Sequence, residues 1–510
     1  MEGAYLLRFI TMKHTSNFRF AELDALLEAL GVDPASAYDR AAARRDEKLA
    51  PEPCPYLVVR LASPEVAKAL CEYGILLSHA IELWGSGTTH EECAVAVASY
   101  GEKRPHFFRP EASWRIDVDA YGTTIPLDEQ NTIRAIYASA LPFQGRVNLA
   151  APTETFQIVD YSPSRRPTDP RVVYFGRTVG ATTKRDLVRR CDLKKRVYLG
   201  PTALDNELAL VMANVARCRP GAAALDPYAG TGSILVACAL FGAHCFGADI
   251  DWRVLRGKAR DENDGAMRRR GPDGRGASAS ELLRLDSDRK TIFANFRQYA
   301  LSLPEIVRLD ASRFFDYYRD RALSEFFDAL VTDPPYGIRA GARCLGSRPQ
   351  DTVKPVPDDM REDHVPRTKP YPVADVLADL LEIAARVLKL NGRLAYLLPS
   401  THDFFPDRDV PKHPALELLD CCAQPISTKY SRYLVVMRKH RPCDQCLVAW
   451  FAGDAAPETR ELIRATADAP YVRLKEKVFQ RATANGHTRD VDNDADDDDD
   501  DDDDDDSAAR

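Results

Sequence analysis

The 510-residue sequence lacks any uninterrupted apolar run close to the ~20 residues that a membrane-spanning helix needs. Its first residues lead into no long apolar stretch with a cleavage site, so we do not expect secretion. Twelve cysteines are scattered along the chain, and Cys443 and Cys446 form a lone C-x-x-C pair. A zinc site would need two further ligands, and Cys421 and Cys422 do not have the usual spacing. We therefore expect reduced thiols, no bound metal and a cytoplasmic location.

The sequence has little net basic charge, although the total hides two different regions. The formal net charge is −8, and residues 496–506 are eleven consecutive aspartates. Without that run, 69 basic side chains face 66 acidic ones, so the rest of the chain carries a formal charge of +3. A slightly basic body is compatible with a phosphate-bearing partner but does not require one. We predict that residues 453–510 form a weakly structured acidic tail.

One short stretch carries the strongest chemical signal in the sequence. The apolar residues 329–332 lead into the turn Asp333-Pro334-Pro335-Tyr336-Gly337. This pattern predicts a buried strand that opens into a rigid turn, with Asp333 at the strand end where α/β sheets bind ligands. An ionised aspartate and the carbonyl of Pro334 can each accept one N–H of a nucleobase amine, while Tyr336 stacks on the base. The alternative is an ordinary proline turn with a surface tyrosine.

A second stretch, upstream of the first, predicts a site for a nucleotide-type cofactor. An apolar strand ends in Asp226 and is followed by Pro227-Tyr228-Ala229-Gly230-Thr231-Gly232-Ser233 and then by an apolar helix. The order of strand, glycine-rich turn and helix is typical of such sites. No lysine follows the second glycine, which excludes the phosphate-binding loop of nucleoside triphosphatases. The turn also has no third glycine, so it departs from the dinucleotide fingerprint.

Two further strands end in acidic residues that suit the same cofactor. Asp249 follows the glycine-rich turn by about twenty residues and is placed to hydrogen-bond ribose hydroxyls. Asp310 ends a third strand and suits an adenine amino group. With Asp226 and Asp333 these acids resemble the site of an S-adenosylmethionine-dependent amino-methyltransferase, the alternative being an α/β domain with incidental acids. We predict as cofactor-binding residues Asp226, Tyr228, Gly230, Thr231, Gly232, Asp249 and Asp310, and as catalytic residues Asp333, Pro334, Pro335 and Tyr336.

Residues 1–175 predict two small α+β modules without a catalytic cluster. The predicted strands are 5–10, 56–61, 114–118 and 156–161, and the predicted helices are 20–30, 64–73, 91–100 and 127–141. We divide this region at residue 85. Both modules are interpreted as substrate-binding, although a scaffold that only stabilises the catalytic part would show the same pattern.

A basic segment, within residues 176–197, connects these modules to the cofactor-binding part of the chain. Only Asp186 and Asp192 oppose its positive charge between positions 184 and 196. We predict as RNA-binding residues Lys184, Arg185, Arg189, Arg190, Lys194, Lys195 and Arg196. Such a segment is suited to hold a phosphate backbone while a distant domain sets the register. The alternative is a solvated charged face.

Four motifs together resemble the catalytic subunit of the eukaryotic tRNA guanine-10 N2-methyltransferases. They are YLGPTALDNELALVMAN at 198–214, DPYAGTGS at 226–233, DPPYG at 333–337 and KYSRYL at 429–434. The resemblance covers roughly residues 1–450 and is close in the catalytic half. It implies an α/β, Rossmann-like class I methyltransferase domain at 198–452, a ferredoxin-like α+β module at 1–85 and a THUMP RNA-binding domain at 86–175.

The resemblance implies an activity, a cofactor and two partners. The activity is transfer of a methyl group from S-adenosyl-L-methionine to the exocyclic amine of guanosine 10 in tRNA, with Asp333 as the catalytic carboxylate. The second partner is a small zinc-binding activator subunit, which would hold any zinc. The alternatives are an amino-methyltransferase acting on rRNA or DNA, a nicotinamide dehydrogenase that uses Asp249, and a non-catalytic RNA-binding subunit.

The catalytic half also contains two long insertions, at 264–280 and 339–370, where short connections would be expected. The second begins just after the Pro-Pro-Tyr turn, so it either closes over the target nucleotide or extends away from it. Beyond it we predict a helix at 373–390 and strands at 393–399, 416–419, 433–437 and 447–451, the last ones antiparallel.

Overall fold

Two β-sheets organise the chain, one in each half of the sequence. The computed structural model describes residues 3–10, 16–49, 54–122, 124–162, 171–200, 203–255, 291–317, 324–336, 341–346, 367–443, 469–472 and 474. The insertion at 264–280, most of the insertion at 339–370, the predicted strand at 447–451 and the acidic run at 496–506 lie outside these residues.

The first sheet has six strands and confirms the four strands that were predicted in this half. Its strands are β1 Ala4–Phe9, β2 Tyr56–Arg60, β3 Leu77–Gly87, β4 Trp114–Tyr121, β5 Glu154–Tyr161 and β6 Val172–Ala181. They lie in the order β2-β1-β3-β6-β5-β4, and all neighbours are antiparallel except β4 and β5. Strands β3 and β6 were not predicted. Because β3 pairs with both β1 and β6, the sheet crosses residue 85 without interruption, and the division into two modules stays a prediction.

The helices of the first half pack against this sheet. They are α1 Arg19–Ala29, α2 Pro34–Ala37, α3 Arg40–Leu49, α4 Pro64–Tyr73, α5 His90–Gly101 and α6 Leu127–Ala140. The four predicted helices are confirmed, and their starts show the expected chemistry. Pro64 occupies the first turn of α4, and the Thr89 side chain accepts a hydrogen bond from the Glu92 N–H at the start of α5. Buried side chains of these helices join those of the sheet in two apolar clusters.

The second sheet has seven strands. They are β7 Ala223–Asp226, β8 His244–Asp249, β9 Glu305–Arg308, β10 Phe327–Thr332, β13 Leu388–Thr401, β14 Leu416–Pro425 and β15 Tyr430–Lys439. A separate two-stranded antiparallel sheet is formed by β11 Arg343–Leu345 and β12 Thr368–Pro370. The order is β14-β15-β13-β10-β7-β8-β9. Five strands run parallel, whereas β15 is antiparallel to both of its neighbours, which confirms the antiparallel pairing predicted for the last strands.

The strand order reverses direction between β7 and β10, and this position determines where a ligand can bind. From β7 the chain proceeds outward to β8 and β9, and from β10 it proceeds outward to β13 on the other side. In open α/β sheets a crevice forms outside the carboxyl ends of the strands at such a reversal. Ala329 and Leu330 pair with Ala224 and Leu225, so the ends of β7 and β10 lie side by side.

Helices and apolar clusters cover both faces of the second sheet. The helices are α7 Lys184–Arg190, α8 Asn206–Val215, α9 Ser233–Leu240, α10 Trp252–Leu255, α11 Ile292–Gln298, α12 Phe314–Tyr317, α13 Val373–Val387 and α14 Pro406–Asp409. The helix predicted at 373–390 ends earlier, at Val387. Its predicted last turn is extended instead, because Leu388 pairs with Phe327 and begins β13.

Buried polar contacts join the two halves. The carboxylate of Glu22, which is 1% exposed, accepts hydrogen bonds from the N–H groups of Ile75 and Leu76 at 2.8 and 2.9 Å. It also accepts one from the Asn214 side chain of the second half at 2.7 Å. The Asn214 side chain donates in addition to the carbonyl of Tyr73 at 2.8 Å. The N-terminal sheet is therefore tied to helix α8 through fully buried polar groups.

Two sequence expectations about membranes and thiols can be compared with the structure. Every helix in the described residues is too short or too polar to cross a lipid bilayer. Ten cysteines in these residues are free thiols, as expected, whereas Cys443 is disulfide-bonded.

Candidate active site

A cleft of about 740 Å³ opens at the carboxyl ends of the parallel strands, where the strand order reverses. Ten of the eleven predicted catalytic and cofactor-binding residues line it. They are Asp226, Tyr228, Gly230, Thr231, Asp249, Asp310, Asp333, Pro334, Pro335 and Tyr336. The remaining one, Gly232, lies between the lining residues Thr231 and Ser233 and begins helix α9.

The turns after β7 and β10 are joined by a hydrogen bond. Asp226 is 1% exposed, and its Oδ1 accepts hydrogen bonds from the Thr332 hydroxyl at 2.6 Å and from the Tyr228 N–H at 3.0 Å. The pKa of Asp226 is raised to about 7, mainly by burial and also by the charges of Asp249 and Asp333. The two hydrogen bonds act in the opposite direction. Thr332, the residue before Asp333, thus holds the end of β7 in place.

The glycine-rich turn brings its main chain to the open cleft. Gly230 has a φ of +51°, and a Cβ built on it would meet no atom within 4 Å. Its N–H donates to Asp249 Oδ2 at 2.9 Å, which holds the turn against the end of β8. Gly232 has a φ of +80°, and a Cβ there would lie 2.6 Å from Ile292, so this glycine is needed for close packing.

The two acids predicted for ribose and adenine already accept hydrogen bonds from the protein. Asp249 accepts from the N–H groups of Gly230 and Asp251, the latter at 2.8 Å, so each of its oxygens has one lone pair left. Burial raises the pKa of Asp249. Asp310 Oδ1 accepts from the N–H and hydroxyl of Ser312 at 3.0 and 2.8 Å, and Oδ2 accepts from the N–H of Leu345.

The sequence analysis missed Asp251, which also lines the cleft. It is the second acid of the run Asp249-Ile250-Asp251, and a second acid two residues beyond a strand end was the signal that could have identified it.

The described part of the second insertion forms one wall of the cleft. Leu345 lies on strand β11 of the two-stranded sheet, and its N–H donates to Asp310. Arg343 of the same insertion and Tyr371, the residue that follows the insertion, line the cleft. The Tyr371 hydroxyl is bonded to Asp379 on helix α13, which anchors this segment. The described residues 341–346 and 367–370 therefore lie against the site, and closure of the insertion over the target nucleotide stays a prediction.

The catalytic turn follows β10 directly. Asp333 is partly buried, Pro334 is buried, and both line the cleft, while Gly337 lies outside the described residues. Tyr336 lies against the apolar cluster on one face of the sheet, and its buried hydroxyl has no hydrogen-bond partner in the described part of the chain. Burial and the charge of Asp333 raise its pKa well above the ordinary value, whereas the charge of Arg432 lowers it.

The opposite wall comes from the antiparallel end of the sheet, which the sequence analysis did not assign to the site. It is formed by Pro399 of β13 and by Ile426, Tyr430 and Arg432 around the β14–β15 connection. Gln424 Oε1 accepts two hydrogen bonds from Arg432, from Nε at 3.0 Å and from Nη2 at 2.7 Å. The KYSRYL motif contains both Tyr430 and Arg432, so the signal was present in the sequence.

The basic segment is not a single exposed stripe. Arg196 is 8% exposed and donates to the Ser233 hydroxyl at 2.7 Å, so the prediction of an RNA contact from its charge is not supported by its placement. Arg185 pairs with Glu207 at 3.1 Å, and Lys184 lies over the ring of Phe241.

Four basic residues of the segment are exposed, and they lie beside the cleft. They are Arg189, Arg190, Lys194 and Lys195. Arg189 is bonded to Asp186, and Lys195 donates to the carbonyl of Arg189 at 3.1 Å. Leu193, which lies between the two pairs, lines the cleft. These four residues remain candidates for RNA binding.

Comparisons with known proteins agree with this arrangement. Residues 3–184 match the family model described as Tmrp11 THUMP N-terminal domain, and residues 194–344 match the RMKL-like methyltransferase domain. The second match sets aside the dehydrogenase hypothesis. Among solved structures, the match to TrmN from Thermus thermophilus covers 86% of this chain and 99% of TrmN at 16% identity, with a TM-score of 0.36.

Relatives from animals and an amoeba align with most of the chain. The tRNA (guanine(10)-N(2))-methyltransferase TRMT11 of Homo sapiens is 34% identical over 408 residues, covering 76% of this chain and 80% of the relative. The TRMT11 protein of Dictyostelium discoideum is 30% identical over 453 residues, covering 85% of this chain and 82% of the relative. The chain therefore belongs to the tRNA (guanine(10)-N(2))-methyltransferase TRMT11 family and carries a methyltransferase domain.

Proposed function

We propose that this chain is the catalytic subunit of an enzyme that transfers a methyl group from S-adenosyl-L-methionine to the N2 amine of guanosine 10 in tRNA. The observation that carries the proposal is the adjacency of two turns in one cleft. Asp333 follows Thr332, and the Thr332 hydroxyl is bonded at 2.6 Å to Asp226 at the start of the glycine-rich turn. The relatives named for this reaction support the choice of substrate.

The residues of the cleft fit S-adenosyl-L-methionine. The volume of about 740 Å³ lies within the range of small-molecule sites. The open side of Gly230 leaves room for close approach of a ligand to the main chain. Carboxylates at Asp249 and Asp251 suit ribose hydroxyls, and Asp310 Oδ2 keeps a lone pair for an amino group. When bound, the cofactor supplies an electrophilic methyl group on a positively charged sulfur, which an acid-lined cleft favours.

The catalytic turn positions the amine that receives the methyl group. Asp333 accepts one N–H of the guanine amine and the Pro334 carbonyl accepts the other, so that the nitrogen lone pair points into the cleft. The Asp333 carboxylate then takes the proton that the amine loses on methylation. Among the described residues that line the cleft there is no cysteine. We therefore propose direct transfer without a covalent enzyme intermediate.

The target guanosine must leave its stack to reach this turn. The exposed residues Arg189, Arg190, Lys194 and Lys195 lie on either side of the lining residue Leu193. We propose that they bind tRNA phosphates beside the cleft while the N-terminal sheet contacts a distant part of the tRNA.

We also propose a small zinc-binding activator subunit as a protein partner and the cytoplasm as the location of the reaction. The activator is implied by the family resemblance, and the location follows from the expectation of reduced thiols. Co-purification of a tagged chain and the location of a fluorescent fusion test them directly.

The experiment that tests the reaction uses the full-length chain, purified alone and with a candidate activator. Each preparation is incubated with methyl-labelled S-adenosyl-L-methionine and with separate pools of tRNA, rRNA and DNA. We expect label in tRNA, mapped to guanosine 10 as N2-methylguanosine. Label confined to rRNA or DNA would move the assignment to another amino-methyltransferase, and no label with any pool or partner would contradict the proposal.

A further inference from the structure

We infer that Arg432 selects guanine by donating a hydrogen bond to its O6 atom while Asp333 and Pro334 hold the amine. This inference rests on the proposed function, because it assigns a specificity-determining residue to the same site. It explains how an amine-binding turn can be restricted to one base.

The sheet places Arg432 across the cleft from the catalytic turn. Strand β13 lies between β10 and β15, so the main chains of β10 and β15 are two strand spacings, or about 10 Å, apart. Thr332 pairs with Tyr396 of β13, and Arg432 pairs with Pro399 three residues further toward the cleft. Both Asp333 and Arg432 line the cleft, so a flat base bound in the cleft can lie between their side chains.

The two charged groups act on the same phenol. Asp333 raises the pKa of Tyr336 and Arg432 lowers it, so the Tyr336 ring lies within the electrostatic range of both. The buried Tyr336 hydroxyl lacks a hydrogen-bond partner in the described part of the chain. A base placed above this ring would have the carboxylate at one end of its Watson–Crick edge and the guanidinium at the other.

The guanidinium of Arg432 is held in a fixed orientation. Gln424 is 9% exposed, and its Oε1 accepts from Nε at 3.0 Å and from Nη2 at 2.7 Å. Gln424 and Arg432 are paired residues on neighbouring strands, which sets the distance between the side chains. A guanidinium that is oriented in advance loses less entropy when it binds a second acceptor.

The chemistry of the base explains why an arginine suits this position. Guanine carries its amine at C2 and an oxygen acceptor at C6, on the same edge of the ring. Adenine has an amino donor at C6, which a guanidinium cannot bind. Arginine donating to guanine O6 is also the most frequent specific contact between side chains and bases in the major groove.

The test compares two tRNA transcripts, one with guanosine and one with 2-aminopurine at the target position. 2-Aminopurine keeps the 2-amino group but has hydrogen in place of O6 and no hydrogen on N1. With the full-length protein and its partner, we expect kcat/KM for guanosine to exceed that for 2-aminopurine by at least about 5- to 150-fold, the usual discrimination from one good base contact. In Arg432→Gln this ratio should fall by about that factor, because the guanosine rate drops and the 2-aminopurine rate does not.

Two further variants separate base selection from a structural role. Arg432→Lys keeps the charge but loses the forked arrangement of N–H donors, so it should retain part of the preference for guanosine. It also provides the test if Arg432→Gln does not fold. Arg438→Gln is the matched control, because Arg438 lies on the same strand, pairs with Glu417 and does not line the cleft, so its ratio should equal that of the wild type.

The inference is overturned if Arg432→Gln, with unchanged thermal unfolding and unchanged binding of S-adenosylhomocysteine, lowers both rates by the same factor. It is also overturned if the wild type shows no preference between the two transcripts. A wild type that methylates neither transcript, nor natural tRNA, would contradict the proposed function itself and the role of Arg432 with it.

Discussion

The two sides of the cleft are built on different kinds of contacts. On the cofactor side, the carboxylates of Asp249 and Asp310 accept hydrogen bonds from main-chain N–H groups, so they move only if the backbone moves. On the base side, Arg432 is held by another side chain, Gln424, next to the connection between the antiparallel strands β14 and β15. The difference indicates that the first side is oriented by the main chain itself, whereas the second is oriented by one side chain bonded to another.

The largest effect is expected from Asp333, the residue on the base side that we propose to bind the reacting amine. Asp333→Asn keeps the shape but removes the negative charge, so methylation should fall about 10²- to 10⁴-fold. Cofactor binding should be retained, because the contacts on the cofactor side are unchanged. Single-turnover methylation and calorimetric binding of S-adenosylhomocysteine measure the two quantities. Turnover at the wild-type rate would remove Asp333 from the mechanism.

The basic residues outside the cleft should have the next largest effect, and they should act on tRNA binding alone. Neutralising Arg189, Arg190, Lys194 and Lys195 together should weaken tRNA binding about 10- to 100-fold. The salt dependence of log K should become less steep by roughly 0.7 to 0.9 for each tRNA phosphate that the variant no longer neutralises.

Filter binding at several salt concentrations measures both quantities for this quadruple variant. Lys389→Gln is the control, since Lys389 lies at the beginning of β13, at the end of the parallel strands that is opposite to the cleft. Unchanged affinity and unchanged salt slope would show that the four residues form only a solvated face.

A smaller effect, confined to the cofactor side, is expected from Gly230→Ala. The new methyl group would project into the cleft from a residue at φ +51°, so the Kd for S-adenosylhomocysteine should rise about tenfold, with about 1–2 kcal/mol lost from the free energy of unfolding. Gly221 has a φ of +85° and is also open, but it lies before β7 and outside the cleft lining. Gly221→Ala should therefore lose similar stability and keep its affinity, and equal loss of affinity in both variants would exclude a contact at Gly230.

The last effect is expected where the two sides meet; it acts on stability and depends on pH. The pKa of Asp226 is raised from 3.8 to about 7 in the folded protein. At pH values between these two, the folded state keeps a proton on Asp226 that the unfolded chain has released. Stability therefore falls as pH rises through that window. Thr332→Val removes a hydrogen bond that favours the ionised carboxylate, so the pKa rises further and the fall continues above pH 7.

Urea unfolding at pH 5.5 and pH 8 measures this pH dependence. The loss of stability in Thr332→Val should approach about 1.5–3 kcal/mol at pH 8, the usual contribution of a hydrogen bond to a charged group, and should be smaller at pH 5.5. Thr332→Ser keeps the hydroxyl and should retain most of the stability that Thr332→Val loses. An equal loss at both pH values would show that the hydroxyl does not favour the ionised form of Asp226.

The sequence predicted well which acids lie at the strand ends that form the cleft, because the signals are local. An apolar run followed by an acid places that acid at the end of a parallel strand, and this held for Asp226, Asp249, Asp310 and Asp333. The domain boundaries stay predictions, since no break divides the six-stranded sheet at residue 85.

The base side and the basic segment were harder to predict, because they depend on contacts between distant residues. Arg432 lines the same cleft as Asp333 only because β15 lies antiparallel beside β13, about a hundred residues after Asp333 in the sequence. A run of basic residues does not show which of them will be covered, and Arg196 is buried because Ser233 lies against it. Likewise, the end of helix α13 at Val387 was set by the pairing of Leu388 with Phe327.

The carboxylate of Glu22 has a consequence for recombining this protein with its relatives. Its two oxygens are divided between donors from the N-terminal half and the amide of Asn214 in the catalytic half. A chimera that took one half from a homologue with a different residue at either position would bury a carboxylate without its full set of donors, or an amide without its acceptor. Positions 22 and 214 should therefore be exchanged together in any domain-swapping experiment.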